Sequence, residues 1–212
     1  MTAPRVKICG VRTTADARAA ADAGASMVGL VLAPGSPRTV GRAEAEAIVA
    51  SLAPGVEAVA LLVGAHGGHP ALEWWRGTVQ LHGDESEEDC AEVAARGFRV
   101  MRGFPFSPES VRRWDACKAV SVLVVDGPRG GGGRGFDHRA LAGMSPPPGK
   151  PVLLAGGLDP SNVAAALEAV RPWGVDVSSG VERERGTKDH AMIARFCAAA
   201  GVKPRRAPGS GR

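Results

Sequence analysis

The sequence predicts a single α/β domain, a (β/α)8 (TIM) barrel. Eight short apolar runs are spaced along the chain, and helix-forming segments lie between them. That alternation is what a parallel sheet with crossover helices produces. Several of the runs are nearly all apolar, as strands covered on both faces must be. A doubly wound open sheet fits the same alternation, and periodicity alone does not separate the two. No G-x-G-x-x-G follows the first run, which counts against a dinucleotide-binding sheet. The 212 residues suit one hydrophobic core.

The strands are expected near residues 5–9, 26–32, 57–63, 78–82, 98–103, 120–126, 151–155 and 174–178. Among the helices, one opens at Thr14-Ala15-Asp16 and ends near Gly24. A second starts at Ser86, with Glu87, Glu88 and Asp89 in the first turn, where the helix dipole favours acids. Asp159-Pro160-Ser161 reads as a third start, with Asp159 as cap and Pro160 at the first helical position. The last runs from Asp189 to Ala200. Residues 64–77 leave room only for a stub. The barrel is expected to occupy 1–201, followed by a basic, disordered tail at 202–212.

Charge argues against a nucleic-acid partner. Lys and Arg number 26 against 22 acids, and the tail supplies the whole excess through Lys203, Arg205, Arg206 and Arg212. The body is balanced, and the chain has no Tyr to stack on bases. No apolar run approaches the ~18 residues of a membrane span, and the first residues lack a secretory core. A cytoplasmic protein is expected. Cys9, Cys90, Cys117 and Cys197 form no C-x-x-C pair, so free thiols are expected rather than a zinc site.

Catalytic groups in such barrels sit where the strands end at the C-terminal face. Cys9, His82, Arg102, Asp126, Ser178 and Ser179 occupy such positions. Side chains alternate across a strand. Lys7 and Cys9 therefore share the inward face, opposite Val6 and Ile8; Thr78, Gln80 and His82 share one, as do Val122, Val124 and Asp126. A thiol, an imidazole and a carboxylate are thus expected around one mouth, with the Lys7 ammonium favouring a thiolate at Cys9. Such a thiol and carboxyl can serve as base and acid. A packed core thiol and a capping carboxylate fit the same spacing. The glycines of Leu154-Ala155-Gly156-Gly157-Leu158 and of Ser178-Ser179-Gly180 follow the seventh and eighth strands. These loops commonly hold phosphate in this fold, because glycines let backbone N–H groups approach an anion. Gly130–Gly133, after the sixth strand, reads as a flexible lid or turn. Arg38, in the loop after the second strand, has a fork suited to carboxylate or phosphate.

Together these segments resemble the phosphoribosylanthranilate isomerase family. The motifs are VKICG (6–10), GSPR (35–38), VQLHGDE (79–85), VVD with GGGGRGFD (130–137), LAGGLDPSNV (154–163) and VDVSSGVERERGTKD (175–189), in family order. The resemblance implies a barrel of the ribulose-phosphate-binding type. It implies the Amadori rearrangement of N-(5′-phosphoribosyl)anthranilate to 1-(2-carboxyphenylamino)-1-deoxyribulose 5-phosphate, in tryptophan biosynthesis, with no cofactor and no metal. By the same resemblance Asp126 is the general acid, Cys9 the general base and Arg38 the partner of the anthranilate carboxylate. Gly156, Gly157, Ser179 and Gly180 match the phosphate site; His82, Lys7 and Asp176 are looser candidates for sugar contacts or for tuning ionisation. Leu30 and Leu32 stand where the family often has aromatics, and His138 where it usually has Trp. Expected partners are a small phosphorylated substrate, no nucleic acid and no membrane, with the chain a monomer or weak homodimer. An isomerase or epimerase of another sugar phosphate, or a silent phosphate-binding barrel, is the alternative.

Overall fold

The computed structural model describes residues 3–127 and 138–205. Eight parallel strands close into a barrel in chain order: β1 (Arg5–Cys9), β2 (Met27–Val31), β3 (Glu57–Leu62), β4 (Thr78–Leu81), β5 (Arg99–Pro105), β6 (Val120–Asp126), β7 (Val152–Leu154) and β8 (Gly174–Val177). Closure comes from β1 pairing with β8 as well as with β2, which decides for the barrel over the open sheet. The helices are α1 (Thr14–Asp22), α2 (Arg42–Ala50), α3 (Glu87–Ala95), α4 (Pro108–Ala116), α5 (His138–Ala142), α6 (Val163–Val170) and α7 (His190–Ala199). Between β3 and β4 the connection is a single 3-10 turn, Pro70–Glu73, the stub that its length allowed.

Local chemistry sets these boundaries. Thr13 caps α1 by accepting from the Asp16 amide, and Ser86 with Asp89 forms a reciprocal capping box on α3. Asp189 caps α7 by accepting from Met192 N. The expected start at Asp159 needs correction. Asp159 Oδ1 accepts from the amide and hydroxyl of Ser161, while Asn162 Oδ1 accepts from Asp159 N at 2.9 Å. These bonds, with Val163 N donating to Asp159 O at 3.1 Å, close a cap-like turn over 159–162, and the regular helix α6 begins only at Val163, with Asn162 at its N-cap.

Two apolar layers follow from the strand alternation. The outward set, with Val6, Ile8, Val79, Leu81, Leu123 and Val125, packs under the helices. The inward set is smaller: Met27, Val59, Met101, Val122, Val124, Leu153 and Ala155, with Trp173 against it. Each fully buried Val, Leu or Met among them contributes about 1.5–3 kcal/mol. The disordered tail expected from 202 needs correction at its start: residues 202–205 lie against the barrel, and 206–212 lie outside the described residues. Arg205 N donates to Asp22 O, and its guanidinium donates to the carbonyls of Pro54 and Gly55. Between β8 and α7 a two-stranded hairpin intervenes, β9 (Glu182–Glu184) and β10 (Thr187–Lys188).

Candidate active site

A cavity of about 440 Å³ opens at the C-terminal ends of the strands. Cys9, Arg38, His82, Asp126, Gly156, Gly157, Asp176 and Ser179 all line it, drawn from six different strands or the loops that follow them. Lys7 and Gly180 do not. Lys7 is fully buried beneath the mouth, and Gly180 packs on the Leu158 carbonyl, holding the loops after β7 and β8 together. Ser178, expected at the end of the eighth strand, and Gln80, expected on the inward face with His82, also line the cavity, although neither is assigned a role by the sequence.

Lys7 sits level with Asp176 in the β1–β8 register, and its Nζ donates to Asp176 Oδ1 at 3.1 Å. Burial alone lowers the ionisation of Lys7, but Asp176 and Cys9 hold it above the usual lysine value. Cys9 behaves otherwise than expected. Burial pushes its thiol up, and Asp176 adds to this, outweighing the downward pull of Lys7 and Lys188. Part of the ammonium's field is spent on its carboxylate partner, so the thiol form prevails at neutral pH. Gly29, level with Cys9 on β2, makes room for this group: a Cβ there would lie 2.9 Å from Cys9 Sγ and 3.1 Å from Lys7 Nζ.

Across the mouth, Asp126 Oδ1 accepts from Gly127 N at 2.7 Å, and Asp126 Oδ2 lies 3.4 Å from His82 Nε2. The other imidazole nitrogen, Nδ1, is 2.9 Å from Gln80 Nε2. Gly156 approaches from the phosphate-type loop with φ +84°, and a Cβ on it would fall 2.4 Å from Gly127 N and 2.8 Å from Asp126 Oδ1. Only glycine serves at that position. It couples the loop after β7 to the carboxylate at the end of β6.

Arg38 is not a free surface guanidinium. It is 8% exposed and forked onto Glu182, Nε to Oε1 at 2.7 Å and Nη2 to Oε2 at 2.8 Å. Lys188 Nζ also reaches Glu182 Oε1, at 2.9 Å. Burial would raise Glu182, but the bonds from Arg38 and Lys188 hold it down to about 2. Neither Glu182 nor Lys188 is among the expected site residues, although both lie in the family-like segment VDVSSGVERERGTKD. Gly186, at φ +88° between β9 and β10, is the local signal of the tight turn that carries both.

Arg102 belongs elsewhere. Met101 and Gly103 take the inward positions of β5, so Arg102 points outward, donating to the carbonyls of Leu81, Gly83, Glu85 and Gly103 and stacking on Trp114. Leu30 is buried in the outer layer and Leu32 packs against it, so neither faces the cavity. The glycine run 130–133 and Phe136-Asp137 lie outside the described residues. Among the described residues, no group of three or more His, Cys, Asp or Glu is placed to hold a metal ion, and no helix is long and apolar enough to cross a membrane.

The family model "N-(5′-phosphoribosyl)anthranilate (PRA) isomerase" matches residues 6–199. An N-(5′-phosphoribosyl)anthranilate isomerase of Magnetococcus marinus is 41% identical over 206 residues, covering 93% of this chain and 95% of that one. The crystal structure of phosphoribosyl anthranilate isomerase from Thermus thermophilus superposes with a TM-score of 0.83 at 32% identity, over 93% of this chain and 98% of that one. A phosphoribosyl anthranilate isomerase in complex with reduced 1-(o-carboxyphenylamino)-1-deoxyribulose 5-phosphate superposes with a TM-score of 0.81 at 33% identity, with the same coverage.

Proposed function

The chain belongs to the N-(5′-phosphoribosyl)anthranilate isomerase family, and on that premise we propose how its own residues divide the chemistry. The reaction is the isomerisation of N-(5′-phosphoribosyl)anthranilate to 1-(2-carboxyphenylamino)-1-deoxyribulose 5-phosphate in tryptophan biosynthesis. Asp126 protonates the furanose oxygen, and the ring opens to a Schiff base. Cys9, as thiolate, removes the proton from C2 and leaves an enolamine. Proton return to C1 and loss of the hydroxyl proton give the ketone. The cationic imine acidifies C2, so a thiolate is a sufficient base.

Arg38 receives the anthranilate carboxylate. Gly156, Gly157 and Ser179 receive the phosphate, with Gly180 holding their two loops in place. Lys7 and Asp176 set the ionisation of Cys9, and His82 orients Asp126. A substrate carrying phosphate and carboxylate charges does not cross a membrane unaided, so the reading places the protein in the cytoplasm.

One observation carries the assignment: thiol, carboxyl, guanidinium and both glycine loops line a single cavity. The test is turnover of chemically generated phosphoribosylanthranilate by the purified chain, followed as loss of its fluorescence. Saturable turnover is expected. A folded protein that leaves the fluorescence unchanged, or that turns over only sugar phosphates without a carboxylate, would overturn the reading.

A further inference from the structure

Behind Arg38 lies a buried ionic cluster to which the chemistry above gives no role. Glu182 on β9 has both carboxylate oxygens saturated. Oε1 accepts from Arg38 Nε at 2.7 Å and Lys188 Nζ at 2.9 Å; Oε2 accepts from Arg38 Nη2 at 2.8 Å and Gly186 N at 3.1 Å. With four donors in place, Glu182 has no lone pair left for a substrate or a proton in transit. Its side chain is 3% exposed and that of Lys188 is fully buried. The hairpin that carries them is locked onto the Arg38 loop. Gly186 has φ +88°, and a Cβ there would meet Pro37 O at 2.6 Å.

A guanidinium has five N–H donors on two usable edges. Glu182 takes the side edge, Nε with one hydrogen of Nη2. The end edge, Nη1 with the other hydrogen of Nη2, has no hydrogen-bond partner among the described residues and belongs to a residue that lines the cavity. Two parallel N–H groups match one carboxylate. A lone Arg–Glu fork would be electrically neutral and would attract an anion weakly. Lys188 restores the balance: two cations and one anion leave a net charge of plus one beside the mouth.

We propose that Glu182 and Lys188 are positioning residues for the substrate's aromatic carboxylate: Glu182 fixes Arg38 so that its end edge meets the carboxylate, and Lys188 keeps the cluster cationic. This rests on the assignment of that carboxylate to Arg38. The gain is preorganisation, since a freely rotating Arg must lose rotamer freedom on binding. A merely structural cluster would set the stability of the barrel without setting ligand preference.

The experiment uses two ligands on the full chain: reduced 1-(o-carboxyphenylamino)-1-deoxyribulose 5-phosphate and its counterpart lacking the carboxyl group. The ratio of their Kd values is measured for the native chain, Arg38→Met, Glu182→Gln and the double variant. The ratio is taken within one preparation, so a partly unfolded fraction cancels. Both single variants are expected to lower the preference for the carboxylate roughly tenfold or more, and Glu182→Gln to add nothing in the Arg38→Met background. If Glu182→Gln does not fold, Glu182→Asp shortens the reach, breaks the fork and carries the same expectation. Lys188→Met is expected to lower the preference several-fold. A preference within about twofold of native in the Glu182 variants, while Arg38→Met loses it, overturns the proposal and leaves the Arg38 assignment standing. A preference retained in Arg38→Met removes that assignment and the proposal with it.

Discussion

Replacing Lys7 by Met tests how the buried base is made available. Lys7 Nζ and Cys9 Sγ lie 3.1 Å and 2.9 Å from one point, the position of a Gly29 Cβ. They are therefore about 6 Å apart at most, and a unit charge at that distance contributes roughly 3 kcal/mol to a thiolate at an effective dielectric of ~20. That corresponds to about two pH units on the ionisation of Cys9. Loss of the ammonium also frees the charge of Asp176, which pushes Cys9 the same way. Cys9 already lies above its ordinary value, so kcat/KM of the native chain is expected to climb with pH through the neutral range. In Lys7→Met the same rise is displaced by about two units, so activity near pH 7.5 falls about a hundredfold and recovers as pH is raised. The assay is the pH profile of fluorescence loss, paired with the pH dependence of Cys9 alkylation by iodoacetamide. Cys90 and Cys197 are buried and pushed up to about 12, so they stay silent in the alkylation. Lys7→Met with Asp176→Asn is the control for an unpaired buried carboxylate. An unchanged limb in folded Lys7→Met, or a loss that alkaline pH does not restore, would refute the electrostatic account.

Three further outcomes follow from the geometry. Gly156→Ala forces an L-residue to φ +84° and drives its Cβ against Gly127 N and Asp126; kcat is expected to fall at least tenfold and stability by about 1–2 kcal/mol, read by kinetics and thermal melting. Glu182, at about 2 in the folded chain against an ordinary 4.5, contributes about 3 kcal/mol above pH 4.5 that is lost as pH falls towards 2, because the unfolded chain binds the proton first. Urea unfolding between pH 6 and pH 2 should therefore show a shallower acid loss in Glu182→Gln than in the native chain. Truncation before Val202 removes the Arg205 bonds to Asp22, Pro54 and Gly55 and is expected to lower stability by about 1–2 kcal/mol relative to truncation after Arg205, read by thermal melting.

Much of this site was legible in strand patterns, and the reasons differ from residue to residue. Cys9, His82 and Asp126 end strands whose alternation assigns an inward face, and a barrel collects all such ends at one mouth. Arg102 stands near the end of β5, but alternation gives Met101 and Gly103 the inward face and turns Arg102 outward. The Lys7–Asp176 pair depends on the register in which β1 closes onto β8, and one sequence does not display register across 169 positions. Glu182 and Lys188 lie in a motif that the sequence displays, but nothing in their residue types shows that they are buried. Their burial is created by the Gly186 turn packing on Pro37, a tertiary contact. At Asp159 the side chain makes the bonds of a cap, but the turn it closes precedes the regular helix, which starts at Val163.

The division of labour between sulfur and carboxyl is tested most directly by kcat of Cys9→Ser and Asp126→Asn on phosphoribosylanthranilate, alongside Kd for the reduced carboxyphenylamino ligand. Each variant is expected to lose about three orders of magnitude or more in kcat while binding that ligand within a few-fold of native. Near-native kcat in either variant, with the protein folded, would contradict it.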